Sequence, residues 1–520
     1  MSSTKNSLQS SSPQSETIAF LKTLAPIVIE THISLVFLND NYAYKLKKAR
    51  TLPFVDFSST EQRIHYCHEE LKLNRRTAPD IYLEVLPIYR HLDGHLSFEK
   101  DTEEQSEIID AVLKMRRFDD QLLLSKLAKN KKLNAPMMTQ LAQTIANFHH
   151  QAQISSDYQG AKRLKDIVEL NRLSEAMVNQ VLGHQGMSKL NQHLLSDIEE
   201  HTKLLNARAI NGKVRRCHGD LHLNNICLWQ QTPTPFDCLE FNESMATTDV
   251  LYDLAFLLMD LWHHKQYDLA NWLMNRYLDQ NDESDGLALL PLFMSLRASI
   301  RAMVIATQAA NSNKDSIAEQ CRKEAQSFLD LATDLLTRSE PRLVAIGGLS
   351  GSGKSTLATA LAPYIGSAPG ARVLSTDRIR KKLFNIAVEE RLPTESYTEA
   401  SSNLVYRTQR ELCAAVLQAK HSVIADAVFA KDWEREAIES CANYLQVPFH
   451  GVWLEAPADK LIERVKARKH DPSDATVSVV EKQLQMDYGS IQWPRLKSAQ
   501  ALKRLIPQAL LLLKGKWPWS

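Results

Sequence analysis

The segment GLSGSGKST at residues 348–356 constrains the fold of this chain more than any other feature. It follows the apolar run LVAIG and precedes an Ala- and Leu-rich stretch, so the spacing G-x-x-x-x-G-K-[ST] lies between a predicted strand and a predicted helix. Small residues let backbone N–H groups close around phosphate oxygens, and the helix N-terminus adds partial positive charge. The residues predicted to bind a nucleotide here are Gly348, Leu349, Ser350, Gly351, Ser352, Gly353, Lys354, Ser355 and Thr356.

Two side chains of this P-loop have predicted chemical roles. We expect Lys354 to contact the β- and γ-phosphates, and the hydroxyl of Ser355 to bind Mg²⁺. The loop therefore predicts ATP and Mg²⁺ as cofactors.

The clearest domain boundary lies at Ser339-Glu340-Pro341. A chain of 520 residues is too long for one ordinary hydrophobic core. Beyond the boundary, apolar runs alternate with helical patterns, which predicts a parallel sheet wrapped by helices. The predicted divisions are a disordered tail at 1–15, a domain at 16–335, a linker at 336–341 and a second domain at 342–520.

The first predicted domain mixes strands and helices. The predicted elements are two strands within 35–48 joined at Asp40-Asn41, a helix at 62–76, a strand at 81–89, helices over about 103–210, strands and loops over 214–241, and helices from 250 to about 337. This order predicts an α+β domain with a large helical part.

Charged side chains follow the later strands of the second domain. Asp377 and Asp426 each end an apolar run, at the edge of a parallel sheet where ligands bind. Asp377 would accept a substrate hydroxyl proton or orient Mg²⁺, unless it only caps a helix, and Asp426 would hold the Mg²⁺ shell, unless it merely ends a strand. Arg464 and Arg468, four residues apart, would clamp the transferred phosphoryl group or lie on a solvated basic face.

This region resembles the small P-loop kinases of the gluconate-kinase and zeta-toxin type. The resemblance depends on GLSGSGKST, STDRIRKKLF, VIADAVF, RVKAR and the PSDA at 472–475. It implies that Asp377 contacts the accepting hydroxyl, and that Arg380 and Lys381 flank the acceptor. Because these families differ in acceptor, the resemblance does not choose a substrate.

A second informative segment, RRCHGDLHLNN, lies at residues 215–225. An Asp and an Asn five residues apart suit a kinase catalytic loop, in which Asp220 takes the acceptor proton and Asn225 binds Mg²⁺. The second metal carboxylate should follow on a nearby strand, and FDCLEFN offers Asp237 and Glu240.

These residues resemble the aminoglycoside-phosphotransferase-like, protein-kinase-like fold, on HGDLHLNN and the DVLYDLA at 249–255. The resemblance implies that Lys47, or else Lys45, contacts a phosphate, with Glu69 or Glu70 as its ion-pair partner. Two departures stand out. Counting back from Asp249 places Glu240 at the family's metal-binding Asp, and the turn between the first two strands contains no glycine. A competent kinase site, a degenerate ligand-binding site and a structural relic therefore remain open.

The charge composition excludes some classes of binding partner. With 62 basic and 61 acidic side chains, the net charge is +1, so we predict no nucleic-acid or membrane partner. The seven cysteines form no C-x-x-C pair, which argues against structural zinc. We interpret His149, His150 and His222 as core or loop residues. No signal peptide or transmembrane span is predicted, so the expected location is the cytoplasm.

The whole chain resembles bacterial two-domain proteins that join an aminoglycoside-phosphotransferase-like domain to a P-loop kinase-like ATPase domain. The sequence therefore predicts ATP- and Mg²⁺-dependent phosphoryl transfer to a small hydroxylated acceptor, mainly by the C-terminal domain. The alternative is a nucleotide-dependent sensor or regulatory ATPase without a small-molecule acceptor.

Overall fold

The computed structural model describes residues 14–52, 55–100, 106–312, 314–388, 390–467 and 473–513. The chain divides into two compact units, each made of several segments. The first unit comprises Met1–Leu133, Thr144–Tyr158 and Ala209–Asp253, and the second comprises Asn134–Gln143, Gln159–Arg208 and Leu254–Ser520. Part of the predicted N-terminal domain therefore shares a compact unit with the P-loop region.

Helices and strands are numbered separately in chain order. The α-helices are α1 (Ser15–Leu24), α2 (Thr60–Asn74), α3 (Leu124–Lys129), α4 (Ala135–Gln151), α5 (Gly160–Leu173), α6 (Glu175–Leu182), α7 (Gly186–Glu200), α8 (Thr202–Ile210), α9 (Glu243–Ala246), α10 (Val250–His263), α11 (Tyr267–Gln280), α12 (Leu290–Ala310), α13 (Asp315–Leu335), α14 (Lys354–Leu361), α15 (Thr376–Leu383), α16 (Glu399–Gln418), α17 (Asp432–Tyr444), α18 (Ala458–Lys466), α19 (Val477–Leu484) and α20 (Leu502–Leu512). Short 3₁₀ turns lie at Asp120–Leu122, Leu223–Asn225, Ser284–Leu289, Ala362–Tyr364 and Thr394–Tyr397.

The strands are β1 (Ile27–Glu30), β2 (Ser34–Leu38), β3 (Tyr42–Lys47), β4 (Thr51–Leu52), β5 (Val55–Asp56), β6 (Tyr82–Arg90), β7 (Leu96–Ser97), β8 (Glu107–Arg116), β9 (Val214–Arg216), β10 (Ile226–Trp229), β11 (Thr232–Pro235), β12 (Thr247–Asp249), β13 (Leu343–Gly348), β14 (Arg372–Ser375), β15 (Val423–Asp426), β16 (Phe449–Glu455) and β17 (Arg495–Lys497).

The first unit is built on an antiparallel sheet. Within the described residues it has six strands in the order β1-β2-β3-β8-β6-β7. One face buries Phe37, Leu46, Ile88 and Val112 together with Leu21 of α1. Helix α2 packs against β6 and β8. Because side chains alternate along a strand, Lys45 and Lys47 of β3 lie on the face opposite to Leu46.

The second unit contains a parallel sheet. Its described strands follow the order β14-β15-β13-β16-β17, with β13 in the centre. Every residue of β13 is buried, as expected where helices cover both faces of a parallel sheet. Val344 and Ile346 of this strand share a core with Leu357 of α14 and Leu505 of α20. The loop that follows β13 is therefore attached to a rigid strand.

Several element predictions are confirmed and some are wrong. The two strands joined at Asp40-Asn41, the helix near 62–76 and the strand near 81–89 correspond to β2, β3, α2 and β6. Helical structure was expected from 103 onward, but β8 is a ten-residue strand between β3 and β6. Its sequence, EIIDAVLKMR, contains good helix formers, and burial of Ala111–Leu113 between two partner strands outweighs that propensity.

The ends of the predicted domains differ in detail. Most of the predicted tail lies outside the described residues, but Ser15 already begins α1. The side chain of Gln14 is buried and donates to Lys47 O (2.9 Å) and to Asp110 Oδ2 (2.6 Å). The predicted linker at 336–341 falls between α13 and β13. The proposed domain boundaries remain a prediction, because the compact units divide elsewhere.

One helical segment, Ser284–Ala310, is long and apolar enough to cross a membrane by length and composition. In the part of the chain that the structure describes, 72% of its most apolar window is buried inside the protein. A buried core helix meets the same criteria. The sequence predicts no transmembrane span.

Candidate functional site

The P-loop has a backbone shape that requires glycine. Gly348, Gly351 and Gly353 have φ angles of 136°, 85° and 91°, in the region that favours glycine. A Cβ at Gly348 would lie 2.6 Å from Leu454 O, and one at Gly351 would lie 2.5 Å from Leu461 O. This loop conformation therefore requires glycine at three positions of the segment GLSGSGKS.

Cationic side chains lie along the loop. Lys354 begins α14, and its Nζ donates to Leu349 O at 3.1 Å. Arg464 of α18 donates to Gly351 O at 3.3 Å and to Ser498 O at 2.7 Å, so it contacts the loop itself. Its predicted companion Arg468 lies outside the described residues.

The two predicted carboxylates lie at the carboxyl edge of the sheet. Asp426 is the last residue of β15, and Asp377 lies in the first turn of α15. Both line the same cavity as Ser355. Burial raises the pKa of Asp426, although the charge of Lys354 acts in the opposite direction.

Asp426 offers an oxygen for a cation. Its Oδ2 atom is buried and accepts no hydrogen bond from the described residues. A buried oxygen without a donor is unfavourable, and a metal ion would satisfy it. Because Mg²⁺ prefers carboxylate and hydroxyl oxygens, Asp426 and Ser355 fit the predicted ion.

The cavity has a volume of about 1140 Å³ and extends from the P-loop past Asp377. The lining residues away from the loop include Arg380, Arg391, Leu392, Tyr397, Tyr406, Asp474, Lys482 and Gln483. Most of these follow no motif, so sequence reasoning missed them. Their assembly depends on loops and on α19 returning to the sheet edge.

Only one of the two predicted acceptor-flanking cations reaches the cavity. Arg380 lines it, whereas Lys381 is 1% exposed and its Nζ lies 3.2 Å from Asp474 Oδ1. The other oxygen of Asp474 accepts from Leu392 N (3.0 Å) and from the hydroxyl of Tyr397 (2.8 Å). Lys381 therefore has a structural partner that the sequence did not reveal.

Helix α11 holds the strand that leads to Asp377. Asn275 Oδ1 accepts from Val373 N at 2.8 Å and from Arg372 Nη1 at 3.0 Å. Asp279 Oδ1 pairs with Arg372 Nη2 at 2.7 Å, and its Oδ2 pairs with Arg378 Nη1 at 3.2 Å. The helical region of the second unit thus fixes the position of β14 and α15.

In the first unit, two lysines of β3 face the carboxylate of Glu70 on α2. Lys45 Nζ lies 2.7 Å from Glu70 Oε1 and 2.5 Å from Asp237 Oδ1. Lys47 Nζ lies 2.7 Å from Glu70 Oε2 and also contacts Glu240. Glu70 is therefore the ion-pair partner, and Glu69, which lies 3.5 Å from Lys72, is not.

This cluster is fully closed at its inner end. The side chains of Lys47 and Glu70 are 0% exposed, whereas Asp237 at the outer end is 41% exposed. Burial acts to raise the pKa of Glu70, but the two lysines outweigh it and lower the value to about 2. Two lysines face three carboxylates, a formal excess of one negative charge, and burial raises the pKa of Glu240.

The segment at residues 215–225, called the catalytic-type loop from here on, is anchored by a buried carboxylate. Asp253 accepts from the backbone N–H of His218 at 3.1 Å and of Gly219 at 2.8 Å. Gly219 has φ +83°, and a Cβ there would lie 2.8 Å from Ala246 Cβ. Asn225 Nδ2 donates to Asp220 Oδ2 at 2.8 Å, so the predicted Asp and Asn are in direct contact.

The hairpin β10–β11 decides which carboxylate lies beside this loop. Its register ends with Ile226 opposite Pro235, and Phe236 N donates to Asn225 O at 2.9 Å. Asp237 comes next, with φ 59°, a strained conformation for a residue other than glycine. Asp237 thus directly follows the residue that bonds to Asn225, whereas Glu240 contacts Lys47, and the choice of metal-binding carboxylate between the two stays a prediction.

The predicted structural role of His149 has a specific partner. Its Nε2 atom lies 3.1 Å from Asp253 Oδ2, and both side chains are buried. The ligand atoms of His149, Cys217 and Asp253 lie within 4.8 Å of one another. Because Asp253 already accepts two backbone N–H groups, the histidine supports the anchor of the catalytic-type loop.

Two classes of domain fold are thus present. A P-loop after the central strand of a parallel sheet defines the P-loop class, and an antiparallel sheet with a Lys–Glu pair and an Asp–Asn loop defines the protein-kinase-like class. The predicted multidomain fold is confirmed: a kinase-like α+β region and an α/β P-loop region.

Comparison with known proteins agrees with the P-loop class of the C-terminal region. Residues 343–486 match the family model described as AAA domain. A protein of Mycobacterium tuberculosis, described as uncharacterized, is 28% identical over 469 residues, or 87% of this chain and 88% of the relative. The adenylyl-sulfate kinase of Myxococcus xanthus is 31% identical over 129 residues, or 24% of this chain and 64% of that protein. The C-terminal region is therefore similar to P-loop domains of the AAA type, which supports an ATP-dependent kinase or ATPase activity.

Two of the solved structures that are similar to parts of this chain are as follows. A gluconokinase from Sinorhizobium meliloti has 22% identity and a TM-score of 0.26, over 34% of this chain and 94% of that chain. A GDP complex of aminoglycoside 2'-phosphotransferase-IIIa has 13% identity and a TM-score of 0.38, over 61% of this chain and 96% of that chain.

Proposed function

We propose that the P-loop domain transfers the γ-phosphoryl group of ATP to a hydroxyl group of a small metabolite. The observation that carries this proposal is the shared cavity, which brings Lys354, Asp426 and Asp377 together at one sheet edge. Its volume of about 1140 Å³ exceeds that of an ordinary ligand pocket and suits a nucleotide with a second small molecule. A purely mechanical ATPase would need no room for an acceptor.

Each lining group has a role in this transfer. Lys354 and Arg464 neutralise charge on the phosphates, while Ser355 and Asp426 hold Mg²⁺, which supplies further charge neutralisation when bound. Asp377 accepts the proton of the acceptor hydroxyl. The bond from the acceptor oxygen to the γ-phosphorus forms, the bond from that phosphorus to the bridging oxygen breaks, and ADP leaves.

The comparisons support a small acceptor without choosing one. The matched adenylyl-sulfate kinase acts, by its name, on a small nucleotide-like molecule, and it aligns only with a quarter of this chain. The mycobacterial relative aligns over most of the chain, so it supports the combination of both regions in one protein.

The test is ATP turnover by the full chain with a library of hydroxylated metabolites. We expect Lys354→Ala to lower acceptor-dependent ADP release by about 100-fold or more, because an electrostatic contact to the phosphates is lost. Lys382→Ala, an exposed lysine of α15, is the matched control and should keep turnover near wild type. Equal turnover in wild type and Lys354→Ala would overturn the proposal.

The alternative is a nucleotide-dependent sensor, in which the P-loop domain hydrolyses ATP slowly and the first unit binds a ligand. The buried ion pair Lys47–Glu70 favours this alternative, because a fully buried lysine is not available to nucleotide phosphates in the first unit. ADP release that no acceptor raises above the water background would support this alternative and count against the kinase.

A second phosphoryl-transfer site in the first unit remains a specific candidate. The outer group of Lys45, Asp237, Asp220 and Asn225 is favoured by the partial exposure of Asp237 and by its position after the hairpin. The Lys354→Ala background isolates this site. We expect residual ATP turnover there to fall at least tenfold with Asp220→Asn, and residual turnover that is unchanged would remove the site from consideration.

A further inference from the structure

Strand β14, which leads to Asp377, lies at one edge of the parallel sheet and has β15 as its neighbour among the described strands. Arg372 N donates to Ser422 O at 3.0 Å, so the backbone groups of Arg372 face β15. Because these directions alternate along a strand, the backbone groups of Ala371 and Val373 face away from the sheet. A buried N–H or C=O group at such an edge needs a partner from another part of the protein.

Helix α11 supplies these partners through two asparagines. Asn275 Oδ1 accepts from Val373 N at 2.8 Å, and Asn275 Nδ2 donates to Ala371 O at 3.2 Å. Asn271 Nδ2 donates to Ala371 O and to Pro369 O, each at 3.0 Å. Asn271 is 1% exposed and Asn275 is 2% exposed. Buried side-chain amides of α11 therefore take the place of a neighbouring strand.

The same face of α11 also reaches helix α15. Asn271, Asn275 and Asp279 are spaced by four residues, which places them in one row along α11. Asp279 Oδ2 pairs with Arg378 Nη1 at 3.2 Å, and Arg378 directly follows Asp377. The row of polar side chains therefore runs from the start of β14 to the residue after Asp377.

These polar side chains come from outside the matched P-loop region. The AAA family model covers residues 343–486, and α11 precedes them. The sequence places α11 in the predicted domain at 16–335, whereas the structure places it in the same compact unit as the P-loop region. A helix of the predicted N-terminal domain thus completes the edge of the P-loop sheet.

We propose that α11 is a built-in partner of the P-loop sheet, and that Asn271 and Asn275 are positioning residues that hold Asp377 at the acceptor hydroxyl. This inference rests on the proposed phosphoryl transfer and adds to it a contribution from the predicted N-terminal domain. Only Thr376 separates β14 from Asp377, so a shift of the strand moves the carboxylate. Misplacing a reacting group by about 1 Å is enough to lower a rate strongly.

Amide hydrogen exchange of the full chain tests the hold on β14. In Asn275→Ala the N–H of Val373 loses its acceptor, so a peptide covering 370–383 should exchange about tenfold faster. A peptide covering 343–356 should change less than about twofold, because β13 lies in the centre of the sheet. Gln280→Ala, which removes an exposed amide from α11, is the matched control and should leave both peptides unchanged. Unchanged exchange of 370–383, or equal acceleration of both peptides, would overturn the proposal.

Steady-state kinetics of acceptor-dependent ADP release test the positioning. Asn275→Ala should lower kcat about tenfold and change the KM for ATP less than about twofold, because Lys354 follows the central strand. Asn271→Ala leaves the bond between Asn275 and Val373 and should lower kcat less. A rise in the KM for ATP that matches the fall in kcat, or an equal loss in Gln280→Ala, would overturn the proposal.

The failure of this inference is distinguishable from failure of the kinase. If Asn275→Ala does not fold by circular dichroism, exchange and kcat of Asn271→Ala decide the question by the same criteria. Faster exchange of 370–383 with an unchanged kcat would refute the positioning role and preserve the proposed function. If no acceptor raises ADP release by wild type, the proposed function fails, and the exchange measurement still decides whether α11 holds β14.

Discussion

The two candidate sites of this chain differ in how their charged side chains are balanced. In the first unit, Lys45 and Lys47 are neutralised by carboxylates of the protein, and the inner pair is sealed from solvent. In the second unit, Lys354 and Arg464 donate to backbone carbonyls beside an open cavity, and the buried Oδ2 of Asp426 has no donor among the described residues. The first site is balanced by groups of the protein, whereas the second lines a cavity and holds a buried carboxylate oxygen that no described residue donates to.

This difference indicates where ligand binding is favourable. A charge that the protein already balances gains little from a ligand, because an existing ion pair must first be broken. A buried carboxylate oxygen that accepts no hydrogen bond gains the full interaction with an incoming cation. The comparison therefore favours a mainly structural role for Lys47–Glu70 and ligand binding in the P-loop cavity.

The largest expected effect is on stability, at the closed site. Lys47→Met leaves Glu70 and Glu240 buried with one lysine fewer. This change should lower the free energy of unfolding of β3 and α2 by about 3–5 kcal/mol. Hydrogen–deuterium exchange of peptides covering 42–47 and 60–74 measures it. Lys48→Met is the matched control, because Lys48 pairs with the largely exposed Glu30 and should cost less than about 1 kcal/mol. Similar protection in both variants would mean that the buried cluster is not structural.

The next effect is on activity, at the open site. Asp426→Asn should lower ATP turnover by about 100-fold or more and raise the Mg²⁺ concentration required, because a metal-holding charge is lost. The fold should persist, since the buried Oδ2 atom has no donor to lose. Glu240→Gln is the comparison at the other site, and ADP release as a function of Mg²⁺ measures both. A greater loss in Glu240→Gln than in Asp426→Asn would reverse the assignment of the two sites.

The two units should also lose stability in different pH ranges. Burial lowers the pKa of His421, beside Gly370 in the second unit, to about 4. The unfolded chain then binds a proton more readily than the folded chain, so stability is lost as pH falls from about 6.5 to about 4, by about 3 kcal/mol. The pKa of Glu70 is lowered to about 2, so its contribution is present above about 4.5 and is lost as pH falls toward 2.

Urea titrations between pH 7 and pH 4 check the histidine. The midpoint of wild type should fall more steeply with acid than that of His421→Gln. The exposed His193→Gln serves as control and should keep the wild-type slope. Parallel pH slopes in all three proteins would show that His421 does not set this acid sensitivity.

The smallest expected effect concerns the support of Asp377. Asp279→Asn removes the charge that holds Arg372 and Arg378, so kcat should fall about tenfold, roughly 1.4 kcal/mol, with little change in the KM for ATP. Asp268→Asn, the same change at an exposed position of α11, is the control. A parallel rise in KM for ATP would indicate general loosening of the domain and not a shift of Asp377.

Sequence motifs predicted the parts of both sites whose chemistry depends on neighbouring residues. The P-loop, the strand-end Asp426 and the Asp220–Asn225 pair are short-range patterns, because one loop or one strand end carries each of them. The strand β8 was missed, since its helix-forming sequence becomes a strand only between β3 and β6. Lys381 was expected at the acceptor, but Asp474, distant in sequence, pairs with it.

The sequence by itself determined that this chain has a phosphate-binding loop after a buried strand and a kinase-type Asp–Asn loop, since both depend on local backbone geometry and fixed spacing. Only the tertiary structure decided which charges are balanced. It paired Glu70, and not Glu69, with both lysines, gave Lys381 a carboxylate partner and gave Arg380 only neutral acceptors among the described residues. The physical reason is that an ion pair depends on distances between side chains that the fold brings together, and sequence spacing does not fix those distances.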